Sequence, residues 1–213
     1  MITAPGEQIE GIGMPLPPGE RVRWQGAPGV RSLARHAFHA RKVAVYFTVL
    51  ALWRLLVLVY DGRPAPEVAG AAAWLLLLGG AAVAVSWLLA YWCASTTVYA
   101  ITDRRVVMRV GMVVSSIINI PFRQIHRADW RGFADGTGDI VLAVPPVDAP
   151  PYFHLWPHAR PWRWSRPEPA LRSVPEAAHV AALLQEAALS VTGAAAVPVE
   201  PQLRQRPVQE PSA

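Results

Sequence analysis

An arginine interrupts the first long apolar run of this 213-residue chain. Arg54 stands between Trp53 and Leu55, well inside VAVYFTVLALWRLLVLVY (Val43–Tyr60). A guanidinium near the centre of a membrane helix costs about 2.5–3.5 kcal/mol on insertion scales, so it needs a partner or a way out. Both routes are open. Six residues separate Arg54 from Tyr60, so its side chain can snorkel toward the outer interface and Asp61. Alternatively it makes a polar contact with another membrane protein, because the second apolar run offers no acidic residue to pair with it.

A second concentration of binding chemistry lies in YFHLWPHARPWRWSRPEPALR (Tyr152–Arg172). Trp156, Trp162 and Trp164 alternate there with Arg160, Arg163, Arg166 and Arg172, and the prolines keep the segment extended. Trp and Arg dominate binding hot spots, but Trp also favours the membrane interface. Partner contact, headgroup contact and plain packing therefore all stand. The candidate partner-binding set is Arg54, Trp156, Arg160, Trp162, Arg163 and Trp164. Arg104, Arg105 and Arg109, which follow the second apolar run, are the candidate set for an anionic lipid headgroup.

Other titratable groups point away from catalysis. None of the six histidines lies in an apolar run, so stable pigment ligation at membrane depth is not expected. His36 and His39 are three apart and read as interfacial polar residues. His154 and His158 flank Trp156-Pro157 with no Cys or carboxylate at metal spacing nearby. Asp135 and Asp139 bracket a turn, where Asp serves local hydrogen bonding. No Gly-rich phosphate loop, HExxH or GxSxG is present. The expectation is a non-enzyme with no cofactor and no metal. Cys93 is the single cysteine and cannot form an internal disulfide.

The elements that carry these residues divide the chain into four parts. Residues 43–93 hold the two apolar runs, Val43–Tyr60 and roughly Val68–Trp92, joined by DGRPAPE. Each can cross about 30 Å of hydrocarbon as a helix, which makes a transmembrane hairpin. The net charge of +5 is carried mostly by Arg on the flanks of the hairpin. By the positive-inside rule both termini lie in the cytoplasm and the connector lies outside. Topology and headgroups explain that charge better than nucleic acid does. Ala73, Gly80 and Ala84 share a face of the second run and could close the hairpin or make a homo-oligomer. Residues 1–42 form a cytoplasmic segment. Within it Glu20–Trp24 could add a short strand, and Arg31–Arg41 reads as an interfacial helix running into the first span.

Residues 97–190 form the third part. Seven β-rich runs recur: Thr97–Ile101, Arg105–Val110, Val113–Ile120, Ile125–Phe133, Asp139–Ala143, Tyr152–Leu155 and Leu171–Val174. Pro175-Glu176 then opens a helix with Val180, Leu183, Leu184 and Ala187 on one stripe. This order predicts a pleckstrin-homology-like (PH-like) β-barrel of about seven strands, capped by a C-terminal α-helix. The fold class is membrane α + β, and residues 191–213 read as a disordered tail.

The runs YAITDRRVVMRVG (Tyr99–Gly111), NIPFRQI (Asn119–Ile125) and DGTGDI (Asp135–Ile140) resemble the bacterial PH-like domains of small membrane proteins. LWPHARPWRW followed by PEPALRSVPEAAHVAALL, with ERVRWQGAP and LARHAFHARK earlier, is similar to the photosynthetic complex assembly protein of purple bacteria, the PuhB family. The resemblance covers roughly residues 14–190. It implies a factor that assists assembly of the photosynthetic reaction centre and its light-harvesting partner in the inner or intracytoplasmic membrane. The implied partners are reaction-centre subunits or other photosynthetic assembly proteins. It transfers no site residues. The other reading is a membrane-anchored PH-like protein that binds or senses lipid through Arg104, Arg105 and Arg109.

Overall fold

The structure, a computed structural model, describes residues 9–13, 15–111, 115–145, 151–160, 167–193 and 199–201. The chain forms two units. One is continuous, Val30–Ala94; the other joins Met1–Gly29 to Ser95–Ala213.

The continuous unit contains α1 (Val30–His36), α2 (Ala40–Tyr60) and α3 (Ala65–Thr96, its last two residues in the other unit). Helices α2 and α3 are both long and apolar enough to cross a membrane, each with a mean hydropathy of 2.1. The helix expected over Arg31–Arg41 does not run into the span. It ends at His36, where the N–H groups of Ala37 and Phe38 both reach the Leu33 carbonyl. His39 is left-handed (φ 55°) before α2 begins. Between α2 and α3, Gly62 is also left-handed (φ 66°). Arg63 N–H reaches Leu58 O (3.0 Å) and Gly62 N–H reaches Val59 O (3.1 Å). That is the glycine cap which satisfies the orphan carbonyls of a helix end, and Pro64 then prevents continuation. Glu67 sits in the first turn of α3, the end where a carboxylate is favoured.

The helices touch where Phe47 meets Gly79: a Cβ placed on Gly79 would lie 2.6 Å from Phe47 Cβ. Ala51 and Leu58 are buried on the same stripe of α2. On α3 the half-buried positions Ala72, Leu75, Ala82 and Ser86 share the phase of Gly79. Ala73, Gly80 and Ala84 do not. All three are exposed, and a Cβ on Gly80 would meet nothing within 4 Å. One residue is about 100° of helix rotation, which turns that face away from the hairpin contact. That face therefore stands outside the Phe47–Gly79 contact.

The other unit is built from β1 (Val22–Gly26), β2 (Val98–Thr102), β3 (Arg105–Val110), β4 (Ser116–Pro121), β5 (Arg127–Gly132), β6 (Gly138–Ala143), α4 (Tyr152–Leu155), β7 (Ala170–Val174), α5 (Ala177–Thr192) and β8 (Val199–Pro201). The strands form two four-stranded sheets, β1-β2-β3-β4 and β7-β6-β5-β8. This corrects the expected closed barrel of seven strands. Among the described residues no strand pairing joins β4 to β5, because a 3-10 turn at Phe122–Gln124 separates them. Apolar residues facing inward from both sheets form one core, including Tyr99, Ile101, Met108, Ile120, Ile140, Leu142 and Leu171. Val180, Leu184 and Ala187 of α5 fill it from one side.

Three further expectations shift. The run Tyr152–Leu155 is one helical turn, with Leu155 N–H on the carbonyl of Pro151; proline suits a first turn and the apolar run alone cannot tell strand from helix. The first strand starts at Val22 because Pro17–Glu20 closes a turn (Glu20 N–H to Pro17 O, 3.1 Å). Within the expected disordered tail, Val199–Pro201 pairs in parallel with Ala128–Trp130 of β5.

Candidate partner-binding surfaces

The described residues sort the candidates into three groups: exposed, consumed inside the fold, and outside the description. Arg54 is exposed on α2, as are its neighbours Trp53 and Leu52, and it makes no ion pair among the described residues. Asp61 in the connector is exposed too. Trp156 is exposed at 45%, which keeps it available on the surface of the PH-like unit. Trp162, Arg163 and Trp164 lie outside the described residues.

Arg160 is corrected as a partner-binding residue. Its Nη1 lies 2.9 Å from Glu168 Oε2 and 3.5 Å from Asp129 Oδ2. Arg127 holds the other oxygen of Asp129 at 2.8 Å. The two carboxylates are buried, and a half-buried guanidinium that neutralises them is part of the fold. Arg172 is consumed similarly: its Nε lies 3.0 Å from Asp139 Oδ2, while the other Asp139 oxygen accepts the Ser173 N–H at 2.8 Å. Asp135 accepts both the N–H and the hydroxyl of Thr137. Neither aspartate of the turn is left for chemistry.

The headgroup candidates meet a similar fate. Residues 9–13 and 15–20 lie along the outer face of the first sheet, where Ile9, Ile12 and Leu16 cluster with Ala100 and Val107. Polar contacts pin this segment. Arg105 grips the buried Glu20 carboxylate with two bonds, Nε to Oε1 at 2.8 Å and Nη2 to Oε2 at 2.9 Å. Arg109 donates to the Gly11 carbonyl, and Gln25 donates to the Glu10 carbonyl at 2.8 Å. Arg104 is exposed and reaches Gly19 O at 3.5 Å. A bidentate carboxylate is a strong partner for a guanidinium, so Arg105 is held to Glu20 and Arg109 to the Gly11 carbonyl, while Arg104 keeps its side chain exposed.

Sequence reading passed over the most perturbed group. His158 is wholly buried, and both ring nitrogens are bonded: Nδ1 to Tyr99 Oη at 2.7 Å and Nε2 to Thr97 Oγ1 at 3.1 Å. The Arg172 backbone N–H donates to the same Tyr99 oxygen at 3.0 Å. The Tyr99 hydroxyl thus joins the imidazole to the β7 backbone, with the donor and acceptor roles at the ring set by its tautomer. Burial, and then the Arg172 charge, push the pKa down to about 3. A neutral imidazole with both nitrogens engaged is a structural pin between β2 and the chain before β7. The only hint in the sequence was a histidine set among Leu, Trp, Pro and Ala. Among the described residues no cluster of His, Cys, Asp and Glu could hold a metal ion.

Comparison with known proteins agrees with this architecture. The bacterial PH domain family matches residues 43–188, so the family unit includes the apolar helices. An uncharacterized 23.7 kDa protein in the puhA 5′ region of Rhodobacter capsulatus is 36% identical over 183 residues, covering 85% of this chain and 86% of that protein. No solved structure matches. With two apolar helices leading into two sheets and a closing helix, the chain belongs to the bacterial PH domain family.

Proposed function

We propose that the chain is a non-catalytic assembly factor for the photosynthetic reaction centre and its light-harvesting partner, of the PuhB kind. The observation that carries this reading is the similarity, along most of both chains, to a protein whose name places it beside puhA. The structure supports it physically. Only 11% and 6% of the most apolar stretches of α2 and α3 is buried, which leaves long apolar surfaces for neighbouring helices. In this reading the hairpin spans the inner membrane with both flanks in the cytoplasm. Arg54 and the face of Ala73, Gly80 and Ala84 engage membrane helices of reaction-centre subunits. The PH-like unit presents Trp156 to a subunit's cytoplasmic surface. The protein acts by holding partly built subunits, with no cofactor and no bond chemistry of its own.

The test is a deletion strain. Reaction-centre absorbance should fall several-fold while bacteriochlorophyll synthesis continues, and the full-length gene should restore it. A deletion strain with a normal reaction-centre yield would end this proposal.

A further inference from the structure

The placement of Arg54 bears on what kind of partner it takes. It lies six residues before the end of α2, about 9 Å below Tyr60, and fourteen residues, about 21 Å, from Ala40. The nearer boundary is thus at the helix C-terminus. Every Cα–Cβ bond of an α-helix tilts toward the N-terminus. The side chain of Arg54 therefore sets out away from its nearer exit, and snorkelling must run against that tilt.

Its surroundings on the hairpin are equally specific. Residues 47, 51, 54 and 58 follow one stripe, and on it Phe47 meets Gly79 while Ala51 and Leu58 are buried. Arg54 shares that stripe yet is exposed. Counting seven residues along each antiparallel helix from the Phe47–Gly79 contact puts Arg54 level with about Ala72. The stretch there is Gly70-Ala71-Ala72-Ala73, which leaves the guanidinium uncovered. The nearest acid on α3 is Glu67, about 7.5 Å closer to the connector and already beside Arg63 at 3.7 Å. The hairpin supplies a cation at membrane depth, small residues level with it, and no counter-charge at that depth, Asp61 lying seven residues further on in the connector.

We infer that Arg54 docks a carboxylate carried at the same depth by a transmembrane helix of the partner. This rests on the proposed reading that the hairpin spans the bilayer and holds other membrane proteins. A membrane-embedded Asp or Glu is costly alone and so is Arg54; together, beside Gly70–Ala73, each satisfies the other. The small residues admit the partner backbone closely enough for the short acidic side chain to reach.

The full-length chain and its Arg54→Leu and Arg54→Lys variants can be reconstituted in phosphatidylcholine vesicles. A dye-labelled Leu-rich helix of about 23 residues, long enough to span, is added with one Glu at the depth of Arg54, or with Gln there. Energy transfer from the protein reports association. The wild type should bind the Glu helix about three- to tenfold more tightly than the Gln helix. The preference should vanish in Arg54→Leu and persist in Arg54→Lys. Equal binding of the two helices, or a Glu preference that survives Arg54→Leu, overturns the inference. So does a preference abolished by replacing a third of the lipid with phosphatidylglycerol, because lipid phosphate would then be the partner. Extraction of the wild type by alkaline carbonate would sink the spanning reading itself and the docking role with it. An inserted chain blind to the Glu removes only the docking role.

Discussion

The buried histidine makes the fold acid-sensitive in a way that can be worked out in advance. In the folded chain His158 is neutral, with a pKa lowered from 6.5 to about 3 by burial and then by Arg172. The unfolded chain takes up that proton near pH 6.5. The stabilising contribution is therefore fully present above pH 6.5, and it is lost progressively as pH falls toward 3. The slope is about 1.4 kcal/mol per pH unit, which amounts to about 2 kcal/mol by pH 5 and about 5 kcal/mol by pH 3. Ordinary carboxylates titrate nearer pH 4, so the interval from 6.5 to 5 isolates the histidine. Hydrogen exchange of the Tyr99, Ala100 and Ile101 amides of full-length protein in micelles, corrected for intrinsic rates, measures the opening free energy of β2 directly. His158→Gln keeps one donor and one acceptor. It should cost about 1–3 kcal/mol at pH 8 and show almost no change between pH 6.5 and 5. If the Gln variant declined as steeply as the wild type over that interval, the titration would belong elsewhere and this reasoning would be refuted.

Other substitutions test other contacts. Gly79→Ala places a methyl only 2.6 Å from Phe47 Cβ and should lower the melting temperature of the hairpin by several degrees, equivalent to about 1–3 kcal/mol, whereas Gly80→Ala should leave it unchanged. Circular dichroism of the two variants in micelles separates them. Glu20→Gln removes the buried partner of Arg105 and should cost about 3 kcal/mol, with trypsin cutting after Arg21 or Arg23 faster than in wild type. Ser173 is left-handed (φ 52°) and its buried hydroxyl has no hydrogen-bond partner among the described residues, so Ser173→Gly should raise stability by about 1 kcal/mol in a urea titration.

Sequence reading succeeded where a local pattern carried the structure. Arg105–Val110 is a β-rich run set between turn residues and is a strand over those residues. The apolar runs at 43–60 and 68–92 sit inside α2 and α3, which extend a few residues further because helix ends are set by caps such as Gly62 rather than by hydropathy. Reading failed where a long-range partner decides. Nothing near Arg160 in sequence shows that Asp129 from β5 reaches it. Nor does anything near Arg105 announce Glu20, eighty-five residues earlier. Both arginines looked free because their acids arrive through the fold. At Ala73, Gly80 and Ala84 the sequence left two roles open for a similar reason: small residues occur on several faces of α3, and only the position of Phe47 selects the one that meets α2. His158 was discounted as a ligand on its spacing, and the structure supplies the positive reason it is there.

Strands β1 and β2 lie on either side of the hairpin in sequence, yet they pair, Val22 with Thr102 and Gly26 with Tyr99. During synthesis the first strand must wait, unpaired, until both helices have left the ribosome. If only one helix inserted, the two strands would be stranded in different compartments and the sheet could never be completed. In the spanning reading proposed above, a finished PH-like unit therefore requires an even number of crossings, and a mis-threaded chain would expose open strand edges.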